Sequence, residues 1–186
     1  MVTAAAKRRA TYADIEALPD NVVGEIIDGE LVVSPRPAPR HSRAASHLGG
    51  IVGPPFDFGQ GGPGGWIILD EPELHLGEHV LVPDLAGWRR ERVPALPDDP
   101  AWLIAPDWIC EVLSPSSGAR DRTRKLRIYA EEGVRHAWLI DPAIKTLEVY
   151  RREGAGWLLL AAFEGDAKVR AEPFDAVELD IGLLWR

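Results

Sequence analysis

The sequence predicts one α+β domain, α/β/α-like at its centre, and three patterns predict it. Residues 106–142 read strand, helix, strand, an order and length that imply a right-handed parallel crossover. Gly24-Glu-Ile-Ile-Asp-Gly-Glu-Leu-Val-Val33 is a hairpin signal, because Asp28-Gly29 suits a tight turn with positive φ. Thr146–Arg151 and Trp157–Phe163 flank Gly154-Ala-Gly156 as a β-meander. A chain of 186 residues without internal repeats suits one domain with a substantial core.

Taken in order, residues 1–10 are expected as a disordered lead, with the domain spanning 11–186. Thr11 and Asp14 form a capping-box pattern for a short helix through about Leu18, its inner face carrying Tyr12, Ile15 and Leu18. Pro19-Asp20-Asn21 ends that helix, the hairpin follows, and Ser34–Pro39 is a stiff connector. A helix is expected from about Arg40 to Leu48, closed by Gly49-Gly50. The Gly- and Pro-rich stretch 53–65 lacks Gly-Lys-Ser/Thr, so it reads as a flexible surface loop rather than a phosphate cradle.

Strands are expected at Trp66–Leu69, Glu73–Leu76 and Val80–Leu85, with a turn at Gly77-Glu78 and a loop around Asp98-Asp99-Pro100. Trp108–Leu113 is a short apolar strand stopped by Ser114-Pro115. Ser116 or Ser117 caps a helix from about Ala119 to Glu132, and Gly133 closes it. Val134–Ile140 returns as the second strand of the crossover; the tail, Val169–Trp185, adds a strand and a closing turn.

Hydrophobic content of 46% and charged content of 27% are those of an ordinary globular protein. The formal charge of −8 argues against a general nucleic-acid coat, so any such contact is local. One cysteine, Cys110, excludes an internal disulfide and fits a reducing cytoplasm. No apolar run approaches a membrane span, and the N-terminus lacks the apolar core of a signal peptide.

The chemistry gathers in the crossover. Glu111 is a charged residue inside an apolar strand, and a buried carboxylate needs a cation or donor to meet it. Cys110 alternates to the other face, as a small core residue. Residues 120–127 carry five basic groups against one acid, which suggests a local anionic partner such as phosphate. The alternative is a solvated face with Asp121–Lys125 as an i,i+4 pair. Asp84 ends the apolar Val80–Leu85 strand. If that strand neighbours Trp108–Leu113, the two carboxylates repel unless one is protonated or a hard divalent cation lies between them, magnesium or manganese rather than zinc.

Glu25-Ile-Ile-Asp-Gly-Glu-Leu31, Ser34-Pro-Arg-Pro-Ala-Pro-Arg-His41, Val82-Pro-Asp84, Glu111-Val-Leu-Ser-Pro-Ser116, Asp121…Lys125…Tyr129, Gly133-Val134 and Trp138-Leu-Ile-Asp-Pro142 stand in the order found in the Uma-type restriction endonuclease family. The chain resembles that family, part of the PD-(D/E)XK nuclease superfamily, from Tyr12 to its end. The resemblance implies a restriction-endonuclease-like core, a mixed central sheet flanked by helices, with the N-terminal hairpin and C-terminal strands as additions. It implies Mg2+- or Mn2+-dependent phosphodiester hydrolysis, Asp84 and Glu111 being metal ligands. The superfamily expects a lysine two residues after the glutamate; Leu113 stands there. The family's pattern moves the lysine to the helix, as Lys125, which would position the attacking water or offset charge. Accessory candidates are Glu25, His41 and Asp121; Arg120, Arg122 and Arg124 are candidates for phosphate, with Arg89, Arg90 and Arg92 as a wider rim or a solvated loop.

His75 and His79 flank a turn without a third zinc ligand. Seven tryptophans serve a core or a dimer interface. The first reading is a cytoplasmic, homodimeric DNA endonuclease; the second is a nuclease-fold module that binds metal or nucleic acid without cleaving, which Leu113 favours.

Overall fold

The computed structural model describes residues 8–93 and 95–186. The capping box forms: α1 (Tyr12–Glu16) starts at Thr11, whose backbone N–H and hydroxyl both donate to Asp14. Ile15 and Leu18 lie over Gly24, where any Cβ would come within 2.5 Å of Leu18; Tyr12 stays exposed. Of the lead expected over 1–10, residues 1–7 lie outside the described residues. Arg8 pairs with Asp14, Arg9 pairs with Glu78, and the Ala10 N–H donates to Gly29 O.

β1 (Val22–Ile27) and β2 (Glu30–Pro35) form the hairpin, with Asp28 and Gly29 at φ 55° and 76°. They join β4 (Glu73–Leu76), β5 (His79–Leu81) and β7 (Ala101–Trp102) in a five-stranded sheet ordered β2-β1-β5-β4-β7. The larger sheet has six strands ordered β11-β10-β9-β8-β6-β3. Its members are β3 (Trp66–Asp70), β6 (Leu85–Arg89), β8 (Trp108–Val112), β9 (His136–Asp141), β10 (Thr146–Glu153) and β11 (Gly156–Glu164). Only β8 and β9 run parallel in it, so the sheet is mixed. The tail pairs β12 (Lys168–Val169) with β13 (Leu179–Asp180) before a 3-10 turn, Ile181–Trp185.

Strand alternation sends the large sheet's side chains into two cores. Trp108, Cys110, Val112, Trp138 and Ile140 pack with Ala44, Leu48 and Val52 of the helix α2 (Pro39–Val52), and with Phe174. Ile109, Ala137 and Leu139 pack the other way, onto Leu126, Ile128 and Tyr129 and onto Ile27, Leu74 and Leu81 of the small sheet. Trp66, Trp88, Trp102, Trp108 and Trp138 are buried, which makes the core their place.

Three expectations are corrected. α2 runs through Gly49-Gly50 to Val52, with Gly49 facing Asp70 and Leu85 across the helix–sheet contact. Residues 53–57 form a π-helical turn, and Gly53, Pro55 and Phe56 are buried, so the first half of the expected loop is packed. Val80–Leu85 is not one strand: β5 ends at Leu81, and Val82-Pro83-Asp84 crosses between the sheets before β6 begins. Pro83 has no N–H to give a ladder.

The crossover helix spans 118–131. Its middle turn, Asp121–Lys125, is π-helical between α-helical Gly118–Arg120 and Leu126–Glu131. Neither Ser116 nor Ser117 caps it with a hydroxyl; the Ser114 hydroxyl accepts the Ser117 N–H instead. At the other end Gly133, at φ 91°, lets the Val134 N–H reach Tyr129 O and its own N–H reach Ala130 O, the paired bonds of a Schellman motif. Among the described residues no helix is long and apolar enough to cross a membrane.

Candidate active site

β6 lies antiparallel to β8 with Leu85 opposite Cys110, so Asp84 enters the sheet beside Glu111. One Asp84 oxygen accepts the Val112 N–H at 2.7 Å, and the other lies 3.2 Å from His41 Nε2. Glu111 faces the small sheet and the 118–131 helix. Tyr129 donates its hydroxyl to Glu111 Oε1 at 2.7 Å, and Lys125 Nζ stands 2.8 Å from the same oxygen. Lys125 Nζ also lies 2.8 Å from Glu25 Oε1 and donates to Val82 O at 3.2 Å. Glu25 Oε1 in turn takes the Val82 N–H at 3.0 Å. Glu25 and Lys125 therefore hold the start of the Val82-Pro83-Asp84 link through the N–H and the carbonyl of the same residue, Val82.

Asp121, Lys125 and Tyr129 recur every fourth residue on one face of the helix. The π-helical turn between the first two keeps both buried on the inner side, and such turns recur at functional sites. Arg120 donates to Ser34 Oγ at 3.2 Å and lies 4.0 Å from Glu25.

These residues, Tyr129 apart, line a cleft of about 300 Å³, together with Ser114, Ser116, Ser117, Arg36 and Glu71. Its carboxylates are Glu25, Glu71, Asp84, Glu111 and Asp121; its fixed cations are Arg36, Arg120 and Lys125, two fewer. That surplus raises the proton affinity of the groups inside. Burial pushes Glu111 well up, and Asp121, Asp84 and Glu25 push it further against the pull of Lys125. Burial raises Asp121 and, well above its usual range, Tyr129. Burial alone would lower Lys125, yet Glu111, Glu25 and Asp121 outweigh it and hold the ammonium charged. His41 is likewise depressed by burial but raised more by Asp84.

A pocket of hard oxygens in which carboxylates outnumber the Arg and Lys cations fits a divalent cation. Among the described residues no three His, Cys, Asp or Glu side chains form a ready-made cage.

The structure thus brings Glu25, His41, Asp84, Glu111, Arg120, Asp121 and Lys125 to one cleft. It does not bring Arg122 or Arg124 to that cleft. Arg122 pairs with Glu148 on β10, and Arg124 pairs with Asp28 and Glu30 at the hairpin turn. The wider rim is spent elsewhere too: Arg89 stacks on Trp66, Arg90 pairs with Asp57, and Arg92 with Asp107. His75 sits on Glu73 and His79 accepts from Asp28 N, so neither joins a metal set. Leu113 is buried among apolar side chains. Tyr129 was missed as a site residue from its chemistry, although the fourfold spacing from Asp121 and Lys125 was its signal.

The sequence profile of the Uma2 family, described as "Putative restriction endonuclease", matches residues 10–182. A solved structure similar to this chain is the "crystal structure of a putative nuclease belonging to DUF820" from Anabaena variabilis ATCC 29413. It aligns with a TM-score of 0.76 at 27% identity, covering 95% of this chain and 97% of that one. No curated protein matches the chain.

Proposed function

The chain belongs to the Uma2 family, and on that premise we propose that it is a divalent-metal-dependent endonuclease that hydrolyses DNA phosphodiester bonds. The observation that carries the proposal is the approach of Lys125 to Glu111, 2.8 Å apart in the cleft that also holds Asp84. Asp84 and Glu111 would hold magnesium or manganese, with Glu25, His41 and Asp121 in support. Such an ion, when bound, lowers the pKa of a water and takes up charge on the phosphate.

The protein's own groups then have distinct tasks. Tyr129 and Lys125 both claim Glu111 Oε1, fixing the carboxylate and leaving Oε2 for the ion. Lys125 supplies a fixed positive charge against the negative charge that grows on the phosphate oxygens. Arg120 stands at the cleft as the phosphate contact, where its guanidinium is fork-shaped for two oxygens. A water oxygen bonds to phosphorus as the ester P–O bond breaks; the water gives up a proton to solvent and the departing oxygen takes one from solvent. Cutting both strands of a duplex calls for two such sites, which a homodimer supplies. The single buried cysteine suits the reducing cytoplasm.

The test is nicking of supercoiled plasmid with magnesium or manganese, lost on chelation and in Glu111→Gln. Equal behaviour of wild type and Glu111→Gln across metals and substrates would sink the proposal.

One observation favours the non-cleaving binding module. Lys125 already has three acceptors within 3.2 Å, one for each ammonium proton, and its side chain is 3% exposed. On that reading metal stabilises the fold and salt-sensitive DNA binding persists, with no cleavage by any variant.

A further inference from the structure

We propose a second anion site, a socket for a backbone phosphate of the nucleic acid, where the first turn of α2 meets the β9–β10 turn and the C-terminal 3-10 turn. It rests on the reading that the chain acts on nucleic acid. A cavity of about 220 Å³ there is lined by Arg40, Arg43 and Lys145 over a floor that includes Pro142, Leu184 and Trp185. No carboxylate lines it.

Two of the three cations are placed with their charge unspent. Arg43 is the exception, its Nε donating to the terminal main-chain oxygen of Arg186. The side chains of Arg40 and Lys145 have no ion-pair partner among the described residues. Elsewhere in this chain guanidinium groups are matched to carboxylates, as at Arg122, Arg124 and Arg127. The nearby acid, Asp141, is turned into its own loop, where Oδ1 accepts the Ala143 N–H at 2.9 Å. Lys145 holds φ at 56°, in the left-handed region where glycine or asparagine is easier. Lys145 thus adds a cation to the cavity's lining from a turn whose backbone an uncharged glycine would fit more easily.

The socket's relation to the cleft suggests its ligand. Arg40 precedes His41, whose imidazole reaches Asp84 in the cleft. A polymer with a phosphate at every step can occupy the cleft and the socket from one strand; a lone small anion gains nothing from that adjacency. Contacts of this kind set register and carry no sequence information. In a protein of net charge −8, a local cationic pocket also gives the approaching backbone a defined landing point.

The test uses the full chain and a fluorescein-labelled short DNA duplex, with calcium in place of magnesium. Affinity is measured from low to moderate salt for wild type, for Arg40→Ala/Lys145→Ala, and for Arg135→Ala/Arg152→Ala. The last pair removes the same charge at the opposite end of β10, where the Arg152 N–H meets Arg135 O. Each phosphate contact contributes roughly 0.9 to the slope of log affinity against log salt, so emptying this one-phosphate socket in the first double variant should flatten it by about one. The control should keep the wild-type slope. If the two doubles behave alike while wild type binds or nicks DNA, the socket is refuted and the nuclease reading stands. If wild type binds no nucleic acid at any salt, both are refuted together.

Discussion

Lys125 Nζ stands 2.8 Å from Glu111 Oε1 although the two belong to different elements of the crossover, one to the helix and the other to β8. The position on the strand that would ordinarily present such a cation holds Leu113, which is buried in the core. The ammonium reaches the carboxylate from the opposite layer.

Removing either partner has unequal consequences. Lys125→Ala leaves Glu25, Glu111 and Asp121 buried together without their common cation, a loss of about 3–5 kcal/mol. The shape-preserving Glu111→Gln keeps an acceptor for Tyr129 and lowers the carboxylate crowding, so its stability should stay within about 1 kcal/mol of wild type. Urea denaturation of the two variants decides this; a Lys125→Ala protein as stable as wild type contradicts the geometry. The inactive variant of choice is therefore Glu111→Gln.

Tyr129→Phe removes the hydroxyl that donates to Glu111 at 2.7 Å. Loss of a hydrogen bond to a charged group predicts a destabilisation of about 1.5–3 kcal/mol. If hydrolysis occurs, turnover falls through a misaligned Glu111, with the metal concentration needed for half activity rising. An unchanged metal dependence would restrict the tyrosine to a packing role.

Acid stability should report the first helix. The Arg8 side chain, then the Thr11 backbone and hydroxyl, hold Asp14 well below the usual carboxylate range. A lowered folded value stabilises above the unfolded pKa of about 3.9 and is lost as pH falls through the folded one. Wild type should thus lead Asp14→Asn in melting temperature at neutral pH, and the lead should shrink below about pH 4. Because the pair is on the surface, salt should narrow it too. A lead that is constant with pH would rule out the ion pair as its source.

Two glycines separate the observed course of the chain from the expected one. Nothing lies within 4 Å of a Cβ at Gly50, inside α2, so Gly50→Ala should stabilise by about 0.5–1 kcal/mol. At Gly62 a Cβ would fall 2.7 Å from Pro55 O and 2.9 Å from Pro55 Cα, and Gly62→Ala should cost about 1–3 kcal/mol. Thermal melts of the pair check both. A neutral Gly62→Ala would return the 53–65 stretch to a loose loop.

Local chemistry made much of this protein legible. Asp28-Gly29 can take positive φ, Thr11 and Asp14 satisfy each other's backbone, and Gly133 can close a helix; such features act within a few residues and appear in the fold. Strand alternation likewise put Cys110 and Glu111 on opposite faces, as the two cores show. The spacing Asp121, Lys125, Tyr129 already aligned one helix face. The tertiary structure decided which charges are free. Arg122 and Arg124 looked like partners of Arg120, yet β10 and the hairpin turn bring carboxylates to them from far along the chain. It also decided that Asp84 lies on a link between two sheets, pinned by Glu25 and Lys125 through Val82. Local pattern follows from backbone geometry and short-range hydrogen bonds; ion pairing follows from which remote segment arrives within about 4 Å, and only packing settles that.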